Sequence, residues 1–524
     1  MISSHAYLLQ REQWKDLNKV ASMPFTMEFD LKCTFILSAE AEGIENTIKE
    51  FVEDANKSLL KKGEEGAQIT SWKKEGNILE MRIISGRKGR SHEGAIRIKK
   101  HLGSLLGKKH RIGIREVRIK EYIITFDVEK EPLKDVTIPF AAVYVDGKKV
   151  TMKIGEQGEE FLRENYIDRM IKVLQEKIQA QHYEGKKEYW ELIWKSEEKK
   201  PVWDKDPSEE MQKKGWVVPG PTKGKWFYRP PAAAILRTME RIAVEEVLIP
   251  LGFQEVMEPM HVPLETWIKT GHLEGMPGEF YYISEPVSRD AKEWEHFIDL
   301  VKITKEVPIE ELRKNVKIPK AGVCYAQCPN IYWSLSGKTI AEKSLPLLLF
   351  DRSVPSDRYE SGGRHGIERV DEFHRVEAVY IGTKEQLLEV KERLMERYKH
   401  VFDNILELEW RMARVTPFYL QQAGIVEENE EDEKGTIDFE AWLPYKGGRE
   451  KEWLEIQNIS IVGEKYTKAF TIKSQKKEVW SGCSGIGLER WMVAFLAQKG
   501  MEPEKWPSGF KKYLSKLPEM PEFL

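Results

Sequence analysis

The chain has 524 residues, of which 41 % are apolar and 32 % charged, and its net charge is −3. This length predicts two or three domains, and the apolar fraction is sufficient for proper hydrophobic cores. No apolar run approaches the roughly 18 residues of a membrane span, and the N-terminus lacks a signal-peptide pattern. Four cysteines argue against a disulfide framework. We therefore expect a cytoplasmic protein in a reducing compartment, with no membrane partner.

Residues 1–155 predict a compact α+β domain. Apolar and polar residues alternate from Phe25 to Leu37 and again around Met81, as in strands, whereas apolar residues recur with helical period from Ile44 to Leu59. The Asp146-Gly147 pair is typical of a hairpin turn. A second helix is predicted by an apolar stripe that consists of Ala95, Ile98, Leu102 and Leu105.

The second predicted helix lies in a strongly basic segment. Between Arg82 and Lys120 there are thirteen Lys or Arg residues and two acids, a local excess of eleven positive charges. One interpretation is an ordinary solvated face, and the other is a footprint for a nucleic-acid backbone. The second is favoured because a loop of glycines and cations precedes the helix, Ser91 can cap it, and helix N-termini attract phosphate. The candidate RNA contacts are Arg87, Lys88, Arg90, Arg97 and Lys100.

The rest of the chain divides into a connector, a large domain and a tail. Residues 156–214 predict a helical connector and linker, with a helix that packs on the next domain. The large domain covers residues 215–505 and contains a helical insertion at about 287–320. Residues 506–524 form a C-terminal tail.

The segment from Arg358 to Glu377 combines opposite charges with a Gly-rich loop. Side-chain alternation in a strand places Arg358 and Glu360 on one face, and Phe373, Arg375 and Glu377 on one face of the following strand. The loop allows the two strands to pair antiparallel. Two arginines and two carboxylates are poorly suited to a hydrophobic core, where unpaired charges are costly. They suit the floor of a binding site that holds ATP phosphates together with an amino acid.

A Gly-rich turn near the C-terminus, Gly482–Arg490, runs directly into an apolar helix and places Arg490 in its first turns. Glycines let a ligand approach the backbone closely, although such a turn is equally typical of plain structure. Cys324 and Cys328 are four residues apart, and Cys483 lies in the turn. Two thiolates and one carboxylate would make a three-ligand zinc site with an open fourth position; the alternative is ordinary buried thiols.

Together these features resemble, in order, the three signature motifs of class II aminoacyl-tRNA synthetases. The first is a long helix that ends before Pro259, the second is the hairpin from Arg358 to Arg375, and the third is the Gly-x-Gly-x-Glu-Arg turn that ends at Arg490. The resemblance covers roughly residues 215–500. It implies an antiparallel sheet flanked by helices and, through the first motif, a homodimer.

Three short segments resemble the type-2 seryl-tRNA synthetases of methanogenic archaea: Cys324-Tyr-Ala-Gln-Cys328-Pro, Glu-Phe-His-Arg-Val-Glu377 and the turn with Cys483. With this family the resemblance extends to the whole chain. It implies an α+β tRNA-binding domain followed by a zinc-dependent class II catalytic domain. It assigns the zinc ligands to Cys328, Glu377 and Cys483 and leaves Cys324 outside the site. Threonyl enzymes use one Cys and two His, so Glu377 and Cys483 distinguish this chain from them.

The same resemblance implies L-serine, ATP with Mg²⁺ and tRNA(Ser) as ligands, and leaves tRNA(Sec) open as a second RNA. Charge assigns Arg358 to the α-phosphate and the attacking carboxylate, and Arg490 to the γ-phosphate, as the catalytic residues. Glu455 is expected to take Mg²⁺. The other ATP contacts expected are Tyr359, Glu360, Arg369 and Val370. The serine contacts expected, besides Arg358 and Glu377, are Ala326, Arg375, Val376, Asn458 and Ser460.

Two other functions remain open at this stage. One is a synthetase-like regulator that binds tRNA or an amino acid without catalysis, and the other is a sibling synthetase of threonyl or alanyl type. Degenerate paralogues usually lose an arginine of the second or third motif, whereas Arg358 and Arg490 are both present. The favoured interpretation is therefore a working serine–tRNA ligase that forms seryl-adenylate and transfers serine to tRNA(Ser).

Overall fold

The computed structural model describes residues 27–40, 42–62, 65–163, 165–182, 190–360, 363–415, 435–450, 453–476, 478–514 and 516–521. The chain forms two compact units, Met1–Lys186 and Lys187–Leu524. Among the helices within these ranges, none is long and apolar enough to cross a membrane.

The first unit is built on a six-stranded antiparallel sheet with the strand order β2-β3-β1-β4-β6-β5. Its strands are β1 (Met27–Leu37), β2 (Gln68–Glu75), β3 (Ile78–Ser85), β4 (Ile114–Asp127), β5 (Ala141–Asp146) and β6 (Lys149–Ile154). In β1 every second residue from Phe29 to Leu37 is buried, because alternate side chains point to the same face. The predicted α+β character of this unit and its hairpin at Gly147 agree with the sheet.

Helices cover one face of this sheet. They are α1 (Glu45–Asp54), α2 (Ser91–His110), α3 (Glu160–Arg163) and α4 (Tyr166–Gln181). In α2 the predicted Ala95, Ile98 and Leu102 are fully buried, and the predicted Leu105 is partly buried against the same core. Leu106 is also fully buried, because it follows Leu102 by four residues and shares its face. Ile167 and Leu174 of α4 are buried in the same core as the sheet. The predicted connector helix therefore packs within the first unit, and the predicted boundary at residue 155 precedes it.

The second unit is built on an eight-stranded sheet with the order β8-β9-β10-β14-β13-β12-β11-β7. Its strands are β7 (Trp190–Lys195), β8 (Gln254–Glu255), β9 (Leu347–Asp351), β10 (Arg375–Gly382), β11 (Trp410–Val415), β12 (Gly435–Ala441), β13 (Leu454–Gly463) and β14 (Trp480–Gly487). The β8–β9 pair is parallel and the other pairs are antiparallel. This agrees with the fold class that the sequence predicts, an antiparallel sheet flanked by helices.

The helices of the second unit are α5 (Pro207–Lys213), α6 (Pro230–Ile242), α7 (Leu264–Thr270), α8 (His272–Gly275), α9 (Glu295–Thr304), α10 (Ile309–Asn315), α11 (Cys328–Ser334), α12 (Lys384–His400), α13 (Lys465–Ala469), α14 (Leu488–Lys499) and α15 (Ser508–Lys511). Wider turns extend α6 through Leu248, and a further helical turn, Ile249–Leu251, follows directly. Helices α6 and α14 bury their apolar faces in the main core, where Met239 and Trp491 are fully buried. The predicted insertion corresponds to α9 and α10, which bury no residue.

The hairpin predicted around Arg358 is shorter than expected. The residues that pair antiparallel at its base are Ser356–Asp357 and Glu372–Phe373. The next strand, β10, pairs instead with β9 and β14 at the centre of the large sheet. The physical reason is that its residues from Val376 to Ile381 are nearly all apolar and fit a strand buried on both faces.

Candidate active site

Strands β10, β13 and β14 form the floor of a cavity of about 550 Å³. The strand register places Arg375 of β10 opposite Gly487 of β14, and Glu377 opposite Gly485. A Cβ atom at Gly485 would collide with the guanidinium group of Arg375. The bare backbone of β14 therefore lets Arg375 lie across the sheet towards the cavity.

Three potential ligand atoms converge at the wall of this cavity. The sulfur atoms of Cys328 and Cys483 and a carboxylate oxygen of Glu377 all lie within 4.8 Å of one another. Cys328 is the first residue of α11, Glu377 lies in β10 and Cys483 in β14, so three distant parts of the chain contribute. All three side chains are buried. The structure thus brings together the residues that the sequence predicts as zinc ligands.

Burial and crowding disfavour the charged forms of this cluster in the bare protein. Hydrogen bonding to Cys483, reinforced by burial, raises the pKa of the Cys328 thiol. Burial also raises the pKa of the Glu377 carboxyl, although the charge of Arg375 opposes the shift.

The negative charge of the Glu377 carboxylate is only partly balanced by groups of the protein. Nε of Arg375 lies 2.6 Å from its Oε2 in an ion pair. Neither carboxylate oxygen makes an aligned hydrogen bond to any described residue. Buried carboxylates are normally satisfied, so an additional cationic partner is expected here. Two sulfurs and one oxygen are a donor set that fits zinc and leaves a fourth position open.

Cys324 lies outside the cluster, as the resemblance implies. Its Sγ lies 3.2 Å from Oε1 of Glu258 and 3.4 Å from the carbonyl oxygen of Ala326. Burial raises the pKa of Glu258 to about 9, so this carboxyl is protonated at neutral pH. A thiol beside a neutral carboxyl is a structural contact and not a metal ligand set.

The two predicted catalytic arginines line the same cavity, and each is paired with a carboxylate. Nη1 of Arg358 lies 2.7 Å from Oε2 of Glu279, and its Nη2 lies 3.8 Å from Oε2 of Glu360. Nη1 of Arg490 lies 3.0 Å from Oε2 of Glu455 and 2.9 Å from the Glu455 carbonyl oxygen. These contacts hold planar, multidentate cations in position for anionic ligands.

The loop between Arg358 and Arg375 is organised by a fully buried carboxylate, Asp371. Its Oδ1 accepts hydrogen bonds from the backbone N–H of Glu360 at 3.0 Å and from Nε of Arg364 at 2.8 Å. Its Oδ2 accepts from Nη2 of Arg364 at 2.8 Å and from the Tyr281 hydroxyl at 2.6 Å. Burial opposes ionisation, but the bonds from Arg364 and Tyr281 outweigh it and lower the pKa of Asp371. Sequence reasoning missed both Asp371 and Glu279, because their partners are set by the folded loop.

Several other predicted residues also line the cavity. They include Ala326, Val370 and Asn458. Oδ1 of Asn458 accepts a hydrogen bond from the backbone N–H of Gly485 at 3.3 Å, which ties β13 to β14 beside the cysteine cluster.

Four predicted residues do not line the cavity with their side chains. Val376 is buried in the main core on the opposite face of β10, because its neighbours Arg375 and Glu377 occupy the cavity face. The Ser460 hydroxyl lies 2.7 Å from that of Thr436, which itself lines the cavity. The remaining two are Tyr359, whose side chain is exposed, and Arg369, whose backbone pairs with His365.

In the first unit, the predicted RNA contacts lie in the loop before α2 and along the first half of that helix. Arg90 forms an ion pair with Asp168, and Nη2 of Arg97 lies 3.9 Å from Oε2 of Glu93. The exposed residues of the set are Arg87, Lys88 and Lys100.

The predicted cap of α2 is wrong. Arg90 occupies the N-cap position, and no side chain caps the helix there. Ser91 is the first helical residue, and its buried hydroxyl donates to the carbonyl oxygen of Phe29 at 3.1 Å. Ser91 therefore ties the helix to β1 instead of capping it.

Protein-family models match two regions of the chain, one in each of the two units. Residues 27–176 match a tRNA-binding domain. Residues 325–499 match the tRNA synthetase class II core domain of the enzymes for G, H, P, S and T.

Individual relatives match the chain from end to end. The chain is 44 % identical over 502 residues to the type-2 serine–tRNA ligase of Methanococcoides burtonii, covering 95 % of this chain and 100 % of the relative. It is 43 % identical over 507 residues to that of Methanothrix thermoacetophila, with the same coverage. Its fold is similar to the crystal structure of M. kandleri SerRS in complex with A. aeolicus tRNASec, with a TM-score of 0.82 and 31 % identity over 95 % of this chain and 99 % of that one.

Proposed function

Because the chain belongs to the type-2 serine–tRNA ligase family, we propose that it activates L-serine with ATP to seryl-adenylate and transfers serine to tRNA(Ser). The observation that carries this proposal is the convergence of Cys328, Glu377 and Cys483 in a cavity that also contains Arg358 and Arg490. One end of the cavity suits a small amino acid and the other suits a polyphosphate.

Cys328, Glu377 and Cys483 are proposed to hold one Zn²⁺ per subunit. When bound, Zn²⁺ supplies a Lewis acid with one open position for the unprotonated amino group of serine. The protein contributes the tight enclosure, since all three ligand residues are buried. Arg375 contributes a counter-charge that favours the ionised form of Glu377 and opposes the effect of burial, through the 2.6 Å ion pair.

The choice of serine depends on the walls around the amine site. A site that hydrogen-bonds the serine hydroxyl rejects alanine and glycine, because buried polar groups would be left unpaired. A close wall excludes the additional methyl group of threonine. The residues proposed for this pocket are Ala326, Arg375 and Asn458, with Val376 through its backbone and Ser460 through support of the floor.

Adenylate formation is proposed to depend on alignment and charge stabilisation. The carboxylate of serine is ionised at neutral pH and attacks the α-phosphate without a general base. Arg358 orients both groups, and Arg490 binds the γ-phosphate. Glu455, within 3.0 Å of Arg490, is proposed to contribute to the Mg²⁺ site. The remaining ATP contacts are proposed to be Tyr359, Glu360, Arg369 and Val370.

The first unit is proposed to bind tRNA through its basic segment. Its match to a tRNA-binding domain and the exposed Arg87, Lys88 and Lys100 support this role, with Arg90 and Arg97 nearby. The similar structure of M. kandleri SerRS contains tRNASec, so tRNA(Sec) is proposed as a second substrate. The active form is proposed to be a cytoplasmic homodimer.

The direct test is ATP–pyrophosphate exchange with each of the twenty amino acids, with the metal content measured on the same preparation. We expect strong exchange with serine only and about one zinc ion per chain. Strong exchange with threonine and none with serine would refute the specificity. Binding of tRNA without any exchange would instead support the non-catalytic regulator.

A further inference from the structure

Tyr325 carries a hydroxyl group that the protein does not use. The residue lines the cavity but is only 7 % exposed. Its hydroxyl oxygen is buried and has no hydrogen-bond partner among the described residues. A buried hydroxyl without a partner costs free energy, so a folded protein normally pairs it. The expected partner is therefore a group that the structure does not contain.

The ring of Tyr325 is held rigidly by its aromatic neighbours. Its centroid lies 5.2 Å from that of Phe280 and 5.6 Å from that of His272, both in edge-on contacts. It lies 6.1 Å from the ring of Trp267. The backbone just before it is also fixed, because the N–H of Cys324 donates to the carbonyl oxygen of Met260 at 2.8 Å. The hydroxyl is therefore preorganised and does not sample many positions.

Tyr325 shares its cavity with the charged groups of the proposed active site. The same cavity is lined by Arg358, Arg375, Cys328 and Glu279. Arg358 and Arg375 are the two arginines assigned to the substrate carboxylate and the amino-acid pocket. Arginine offers donors but no acceptor, so neither of them can satisfy a phenol that donates its proton. An oxygen atom of a ligand bound between the arginines could accept it.

We propose that Tyr325 is a substrate-binding residue whose hydroxyl donates a hydrogen bond to an oxygen atom of the amino acid being activated. This inference rests on the proposed function and adds a contact that neither the sequence motifs nor the metal cluster supply. The oxygen belongs either to the substrate carboxylate or to its side-chain hydroxyl. Both are acceptors of suitable size, and alanine, which lacks the hydroxyl, distinguishes them.

The test is Tyr325→Phe, which removes one oxygen atom and keeps the ring in its aromatic cluster. We expect its kcat/KM for serine in ATP–pyrophosphate exchange to fall about 10- to 100-fold, the range for a hydrogen bond to a charged or polar ligand atom. The KM for ATP and the zinc content should remain at their wild-type values. The melting temperature of the ligand-free protein should not fall, because the lost hydroxyl had no protein partner.

Tyr398→Phe is the matched control. Tyr398 is also fully buried, but its hydroxyl lies 2.8 Å from that of Ser484 and outside the cavity lining. Its loss should lower the melting temperature and leave kcat/KM for serine unchanged. The two variants should therefore show opposite patterns of stability and activity.

The amino-acid arms of the experiment identify the oxygen. Alanine is measured as a competitive inhibitor of serine exchange, because it is not expected to be activated. An equal loss of affinity for serine and alanine assigns the contact to the carboxylate, whereas a loss for serine alone assigns it to the hydroxyl; either result supports the proposal. An unchanged kcat/KM for serine in Tyr325→Phe would overturn the proposed Tyr325 contact. A fall in kcat/KM accompanied by loss of zinc would overturn it as well. Neither result would affect the proposed function. Absence of serine exchange by the wild-type protein would overturn the proposed function first.

Discussion

The two proposed parts of the cavity, a nucleotide end and an amino-acid end, differ in how the protein compensates their charges. At the nucleotide end, Arg358 and Arg490 are already paired with Glu279 and Glu455. At the amino-acid end, Glu377 has an arginine beside it but no aligned hydrogen bond from any described residue, and two thiols adjoin it. The arginines of the proposed nucleotide end thus have carboxylate partners within the protein, whereas the proposed amino-acid end contains a buried carboxylate for which we propose an additional cation.

This difference has a physical basis. Arg358 and Arg490 have side chains that are 28 % and 27 % exposed. Such partly exposed arginines can exchange a carboxylate for a phosphate at small cost, since they stay within reach of water. A fully buried carboxylate and two buried thiols have no such exchange available. The amino-acid end should therefore respond to changes of its ligands far more strongly than the nucleotide end responds to changes in its supporting contacts.

The largest effect is expected from Cys483→Ser at the amino-acid end. Supporting residues around metal sites already change affinity or activity by about 10- to 100-fold, so loss of a direct ligand should exceed 100-fold. We expect loss of both bound zinc and serine-dependent exchange. Cys324→Ser is the control, because that buried cysteine contacts Glu258 outside the cluster. If Cys483→Ser contained no zinc but kept full activity, the claim that the amino-acid end depends strongly on its metal ligands would be wrong.

A smaller effect is expected from Asp371→Asn, which loosens the nucleotide end. Four hydrogen bonds converge on this carboxylate, including the one from the Glu360 N–H, so the loop should lose its fixed position. We expect a rise of about 10-fold in the KM for ATP and a loss of about 2–4 kcal/mol in the free energy of unfolding. The zinc content should not change.

Asp403→Asn serves as a control for that change. Asp403 accepts the Trp410 indole N–H at 2.8 Å, does not line the cavity, and should affect only stability. An unchanged KM for ATP in Asp371→Asn would mean that the buried carboxylate stabilises the fold without positioning the nucleotide.

Neutralising Arg87 and Lys88 together should affect neither end of the cavity. Because these side chains are exposed in the first unit, we expect weaker tRNA binding and a salt dependence whose slope falls by roughly 1 to 2. Pyrophosphate exchange should stay at the wild-type level. Neutralising Lys148 and Lys149, which are also exposed, controls for net charge. Equal effects of the two pairs would contradict a localised tRNA contact.

The smallest effect is expected at His374, which pairs with the cavity-lining Glu489. Its Nδ1 lies 2.8 Å from Oε1 of Glu489. Burial lowers the pKa of His374, but the hydrogen bond and charge of Glu489 outweigh it and raise the pKa. A raised pKa in the folded state contributes stability that is complete below the unfolded value of about 6.5 and is lost as pH rises through the folded value.

His374→Gln should therefore destabilise the protein by less than about 1 kcal/mol at pH 5.5, and by still less at pH 8.5. Urea unfolding at the two pH values measures the difference. A loss of stability that is the same at both would show that the His374–Glu489 contact is not an ion pair in the folded state.

Regular patterns in the sequence predicted the scaffold well. Strand alternation placed Arg375 and Glu377 on one face, and their 2.6 Å ion pair agrees with it. Helical periodicity predicted the helix that begins beside Arg490, which is α14. These features depend on neighbours along the chain, and such local geometry is what periodicity encodes.

Contacts between distant segments were not predictable in the same way. The role of Asp371 depends on hydrogen bonds from Arg364 and Tyr281, which the folded loop brings to it. The role proposed for Tyr325 depends on a buried hydroxyl without a partner among the described residues, which no periodicity in the sequence indicates. The connector helix was placed with the wrong unit, since its apolar stripe does not say which core it meets. The convergence of Cys328 with its two partners came from family resemblance and not from spacing.

The most direct test of the amino-acid end is X-ray absorption spectroscopy of the zinc-loaded protein. If Cys328, Glu377 and Cys483 bind the ion, the spectrum should fit two sulfur atoms at about 2.3 Å together with oxygen or nitrogen atoms at about 2.0–2.2 Å. Addition of serine should increase the nitrogen or oxygen contribution without removing sulfur. A zinc environment without sulfur, or a protein that activates serine fully without zinc, would contradict this account.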